Sequence, residues 1–184
     1  VLTAPIRAKA TTSLNDRLHV VDREHNNRVF TGNLSRSRAA VNLFAAHLFK
    51  RGYPVELPEE RVAPDYQSRM EYRDDGDLFT RIAGHRVRIE VKARENIEFT
   101  SAADYPYPTI MVCAAHSWEM ADPKPWLYVI INRSRTTAAY IRGITQPEWW
   151  VEEKQDKRYM NYSQRFYFAR LECVCKWVRL NAVE

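Results

Sequence analysis

One short stretch holds the residue types best suited to chemistry. Residues 74–94 read DDGDLFTRIAGHRVRIEVKAR. Asp77 stands before two short apolar alternations, and Glu90 and Lys92 close them. Side chains alternate across a β-strand, so Arg86, Arg88, Glu90 and Lys92 share one face while Val87, Ile89 and Val91 share the other. A two-residue turn at Ala83-Gly84 sets Ile82 opposite His85, Thr80 opposite Val87, Leu78 opposite Ile89 and Asp77 opposite Glu90. A slip of one residue would mix apolar and polar faces, which burial disfavours. Two carboxylates facing each other with Cβ atoms about 5 Å apart repel unless a positive charge lies between them. Mg²⁺, with Mn²⁺ as a substitute, takes one or two carboxylates together with water and phosphate oxygens. Such an ion acidifies its bound water and polarises a phosphate. Lys92 can orient or help deprotonate the attacking water and offset charge on the phosphate. Asp77, Glu90 and Lys92 therefore form a workable phosphodiesterase centre. The same charges also suit a solvated face on which Lys92 and Arg88 neutralise Glu90 and Asp77, and spacing alone does not separate the two readings.

The elements that must position this hairpin follow from periodicity. From Asn33 the sequence reads NLSRSRAAVNLFAAHLFKRGYPVELP, with apolar residues at Ala40, Val41, Phe44, Ala45, Leu48 and Phe49. A polar cap at Asn33 or Ser35, a period near 3.6, basic Lys50 and Arg51, and Gly52 predict an amphipathic helix. YPVELP reads as a short strand, and residues 58–73 as loop. Upstream, RLHVVD at Arg17–Asp22 reads as a strand and Glu24–Asn27 as a turn, so residues 1–32 form an arm or added strands. The runs at 109–115 and 125–132 predict buried strands, and 136–144 a partner for the second. The C-terminal run QRFYFARLECVCKWVRL reads as one long strand or two, in which Cys173 and Cys175 share a face. The expected fold class is α/β (α+β), a central mixed sheet flanked by helices, with the main domain at 33–184.

The stretch GDLFTRIAGHRVRIEVK resembles the core of the PD-(D/E)xK nuclease superfamily, the restriction-endonuclease-like fold. The resemblance implies that Asp77 is the first acid, Glu90 the second and Lys92 the lysine, with the Val91 carbonyl as a further metal ligand. It implies a metal-dependent DNA endonuclease using Mg²⁺, with a homodimer as a natural assembly, and extends over residues 33–142, including phage and mobile-element members. The runs at 109–115 and 125–132 then supply later core strands. Glycine stands before Asp77 where the family often has proline, and Asp75 is a second candidate for the first acid. Resolvase-like members carry an extra acid on the first helix; residues 35–50 hold none, leaving Glu56 or Glu71. The alternative is a non-catalytic nucleic-acid-binding or assembly module that keeps the fold.

Composition narrows the classes further. The chain has 184 residues and a net charge of +5 at neutral pH. Of its 28 basic residues most are arginine, which grips phosphate in a bidentate way. DNA is the expected partner, with RNA also open. Arg36 and Arg38, at the expected helix N-terminus where N–H groups favour phosphate, and Arg94, on the face of Glu90 and Lys92, are the candidate backbone contacts. Trp149 and Trp150 lie among basic residues near Tyr159 and Tyr162, a composition for base stacking or, more simply, for packing or an oligomer interface. His47 reads as a core-edge or surface histidine. Three cysteines and no zinc-finger spacing point to free thiols in the cytoplasm. No apolar run would span a membrane.

Overall fold

The computed structural model describes residues 14–59, 61–65, 67–68, 71–72, 76–155 and 163–180. The chain is mixed α/β, with few helices and a central mixed sheet. A long helix, α1 (Leu14–Lys50), leads into β1 (Val55–Glu56), the hairpin β2 (Leu78–Ile82) and β3 (His85–Ala93), and β4 (Thr109–Ala114). A short helix α2 (Ala115–Glu119) precedes β5 (Leu127–Ile131) and β6 (Thr137–Arg142). The C-terminal part contributes β7 (Trp150–Gln155), β8 (Ser163–Arg170) and β9 (Val174–Arg179). Six strands form the central sheet in the order β1-β2-β3-β5-β6-β9, and β4-β8-β7 form a second, three-stranded sheet. β3 and β5 run parallel, and the other pairs are antiparallel.

Three layers result. Ala40, Val41, Phe44, Ala45 and Leu48 of α1 are buried against Leu78, Ile89, Val91, Leu127, Val129 and Ile131 on one face of the central sheet. Phe49, at the edge of the predicted apolar stripe, is instead 75% exposed. The opposite face presents Tyr128, Ile130, Ala139 and Ile141 to Ile110, Val112 and Ala169 of the second sheet. The helix stops where Gly52 turns at φ 79°. There Tyr53 N donates to the Leu48 carbonyl and Gly52 N to that of Phe49, the paired bonds of a Schellman cap.

Four sequence expectations require correction. Arg17–Asp22 and Glu24–Asn27 are helical, not a strand and a turn, so α1 crosses the boundary expected at residue 32. Gly32 costs a helix only about 1 kcal/mol, less than abandoning a helix already nucleated. Asn33 does not cap; its Oδ1 accepts from Arg36 Nη2 at 2.7 Å, one turn along the helix. The run at 109–115 supplies a strand of the outer sheet, not of the central one. Its buried positions are interrupted by half-buried ones, whereas β5 is buried at every position, as a strand covered on both faces must be. Of the two forms expected for the C-terminal run the chain takes the second, two strands, which lie in different sheets and are broken by a 3-10 turn at Leu171–Cys173. That turn leaves Cys173 buried and Cys175 exposed, so the two cysteines do not share a face.

Candidate active site

The hairpin adopts the register that its apolar pattern selects: Leu78 pairs with Ile89, Thr80 with Val87, and Ile82 with His85. Ala83 and Gly84 make the turn, both at positive φ, 49° and 82°, as a two-residue hairpin connection requires. The ladder ends at Leu78–Ile89 because the chain leaves the sheet at Gly76, whose φ is 125°. Proline, with φ fixed near about −65°, could not take this conformation, which accounts for glycine before the first acid.

Continued by two residues, the ladder would bring Val91 to Gly76. The Asp77 carboxylate takes over that position: its Oδ2 accepts from Val91 N at 2.6 Å. A residue in a hydrogen-bonded pair directs its N–H and C=O to the same side, so the Val91 carbonyl lies on the edge that Asp77 covers. Lys92 Nζ donates to Asp77 Oδ2 at 3.2 Å and to Glu90 Oε2 at 2.9 Å. The two oxygens are therefore within about 6 Å of one another, and one ion with ligands at about 2.1 Å would hold them at most about 4.2 Å apart. Glu90 Oε1 accepts from Arg88 Nε at 2.9 Å and Nη2 at 2.8 Å.

Burial by itself would raise the Glu90 pKa, but the charges of Lys92 and Arg88, and their hydrogen bonds, hold the carboxyl below its usual range. Burial would likewise lower Lys92; Asp77 and Glu90 outweigh it and hold the ammonium well above the usual lysine range. Both groups are thus ionised at neutral pH. Lys92 is the most open of the three, with 29% of its side chain exposed against 15% for Asp77 and 8% for Glu90. Cys113 of β4 and Tyr128 of β5 form the inner wall, near enough for the Cys113 thiol to sense Lys92 and Glu90; burial pushes that thiol up to about 11.

Among the described residues no group of three or more His, Cys, Asp or Glu is arranged to hold a metal ion. The donors available to a cation are the Asp77 and Glu90 carboxylates and the Val91 carbonyl. Their chemistry suits Mg²⁺, which is content with one or two carboxylates and completes its shell with water. The Lys92 ammonium, bonded to both carboxylates, demonstrates that the space between them accepts positive charge. A divalent ion there requires Lys92 to turn outward, on the exposed side of the cluster.

The other predicted residues scatter. Arg36 and Arg38 lie far inside α1, so no unpaired helix N–H groups accompany them and the reason for choosing them fails. Arg94 is on the expected face, but its Nη2 donates to the Met111 carbonyl and ties β3 to β4. Glu56 is held by Arg86 through Nε at 3.0 Å and Nη2 at 2.7 Å, with the guanidinium over the Phe79 ring. Glu71 is exposed in a loop. Asp75, Tyr159 and Tyr162 lie outside the described residues. His47 is buried, with Nδ1 3.0 Å from the Leu180 carbonyl. Trp149 packs in the core between Trp118, Tyr128 and Tyr167, and Trp150 stacks on Phe168; both serve packing.

The sequence alone offers Arg88 only as a neutraliser and gives no role to Cys113 or Tyr128. Arg88 is visible as the first member of an Arg-x-Glu-x-Lys alternation. Cys113 and Tyr128 carried no signal, since their approach depends on how two sheets stack. Compared with protein-family models, curated proteins and solved structures, the chain matches none.

Proposed function

We propose that this chain is a metal-dependent nuclease of the PD-(D/E)xK kind, hydrolysing phosphodiester bonds in DNA. One observation carries the reading: Asp77, just before β2, and Glu90 of β3 converge on Lys92 at the open end of a hairpin. Asp77, Glu90 and the Val91 carbonyl are the ligands for Mg²⁺ or Mn²⁺, which when bound supplies an acidified water and a polarised phosphate. The chain's own residues do the rest. Asp77 and Glu90 concentrate negative charge where the ion is needed. Lys92, once the ion takes its place between the carboxylates, orients or helps deprotonate the water and offsets charge developing on the phosphate. The restriction-endonuclease-like core fits the arrangement of a helix, an antiparallel hairpin and a parallel β3–β5 pair.

A second reading is favoured by a specific feature. Arg88 and Lys92 already balance Asp77 and Glu90 in number and in hydrogen bonds, as a cluster kept for folding in a binding module would be. Cleavage separates the two. Plasmid, linear duplex, single-stranded and four-way-junction DNA are incubated with Mg²⁺, Mn²⁺ or EDTA, with Lys92→Ala alongside. The nuclease cuts at least one substrate only with metal, and the variant falls by at least about a hundredfold. Salt-sensitive binding without cutting assigns the binding module instead.

A further inference from the structure

We propose that Arg88 is a positioning residue of this centre, fixing the Glu90 carboxylate with one oxygen tied inside the sheet and the other turned toward Asp77 and Lys92. The inference rests on the nuclease reading and adds to it a residue that touches neither substrate nor ion. A glutamate carboxylate turns freely about its last bond, since that torsion is broad. Here two donors of one guanidinium, Nε at 2.9 Å and Nη2 at 2.8 Å, both fall on Oε1. Oε2 is left to Lys92 at 2.9 Å. A planar guanidinium holds its donors in a fixed fork; an ammonium supplies the charge without that geometry.

The surrounding backbone is shaped for this contact. A Cβ on Gly76 would stand 2.6 Å from Arg88 Nε and 3.0 Å from Cζ, and the residue sits at φ 125°. The chain gives up a side chain and takes an uncommon backbone conformation where the guanidinium passes. Arg88 is itself 9% exposed and Glu90 8%, so the guanidinium is too deep to grip a DNA backbone. Its second strand-side tie is through the main chain, where the Arg88 carbonyl accepts from Trp126 N at 2.9 Å.

Charge and positioning predict opposite signs. Removing a cation near a divalent-ion site tightens ion binding if Arg88 acts only through its charge. It weakens binding if Arg88 aims Glu90. Mn²⁺ is titrated into the full chain with free Mn²⁺ read by electron paramagnetic resonance, for wild type, Arg88→Met, Arg88→Lys and Glu90→Gln, with far-ultraviolet circular dichroism to verify folding. The expected result is Mn²⁺ binding that Glu90→Gln abolishes, that Arg88→Met weakens by about tenfold or more, and that Arg88→Lys weakens less. In cleavage assays kcat falls while KM for DNA stays unchanged, since the guanidinium does not meet DNA. Equal or tighter Mn²⁺ binding by Arg88→Met overturns the positioning role and leaves the nuclease reading standing. Absence of Glu90-dependent Mn²⁺ binding in the wild type removes both. Should Arg88→Met fail to fold, Arg88→Lys decides: unchanged affinity and kcat overturn the proposal.

Discussion

Lys92 occupies the position on which everything at the residue scale turns, because carboxylates at 3.2 and 2.9 Å hold it as a cation between them. The cluster stays in place because Gly76 lets the chain depart. Its positive φ and the space next to Arg88 are two separate reasons against any side chain there. Gly76→Ala should therefore lose about 1–3 kcal/mol of stability, the cost of holding a residue in a sparsely populated conformation, with additional loss from the displaced Arg88. Urea denaturation measures it, and an unchanged midpoint would mean that the local backbone relaxes freely. Asp77, Glu90 and Lys92 were legible from the sequence because alternation and a two-residue turn fix who faces whom. The contribution of Gly76 was not, since a glycine in a sequence does not disclose its φ. Nor was the depth of the face. Alternation leaves open whether Arg88 and Glu90 face solvent, and both are buried.

At the scale of elements, α1 couples to the sheet through Phe44, Leu48 and His47, and His47 makes this docking sensitive to pH. Its ring accepts no proton easily: burial lowers its pKa, the Leu180 hydrogen bond partly opposes this, and Arg51 and Lys50 add to the lowering. A carbonyl can only accept, so the neutral ring carries its hydrogen on Nδ1. The unfolded chain takes up the proton near the ordinary 6.5, before the folded chain does. The stability contributed by neutral His47 is thus complete above that value, declines as pH falls below it, and is gone beneath the folded pKa. Denaturant melts of wild type and His47→Gln near pH 7.5 and about pH 5.5 should show the wild-type advantage shrinking at the lower pH. A difference independent of pH would place a charged His47 in the fold. The end of α1 was readable, because Gly52 and the basic residues before it are local signals. Its beginning was not: Asn33 resembles a cap until its side chain is found bonded to Arg36. Propensity marks where a helix can stop, and tertiary packing decides whether it does.

At the scale of the molecule, the strand order is where local reading has least to say. β4 and β5 are both apolar runs, but one lies in the outer sheet and the other in the central sheet. The C-terminal strands β8 and β9 separate in the same way, since pairing partners are chosen by long-range burial and not by composition. Among the described residues no helix is long and apolar enough to cross a membrane. The net charge is +5, yet Asp77, Glu90, Arg88 and Lys92 cancel one another. On the proposed nuclease reading, affinity for a polyanion must then arise outside the cluster, and the two acids oppose it wherever the phosphates approach. Asp77→Asn combined with Glu90→Gln removes that opposition and frees Lys92 from its partners. In EDTA the double variant should bind duplex DNA at least as tightly as wild type, by up to about tenfold at low salt. Its affinity should fall with log salt at a slope near −0.9 for each phosphate neutralised. With Mg²⁺ restored it should bind without cutting. Fluorescence anisotropy across a salt series supplies the measurement. Loss of binding in a folded double variant would show that the acids help form the DNA surface, and the proposal that DNA is held outside the cluster would have to be abandoned.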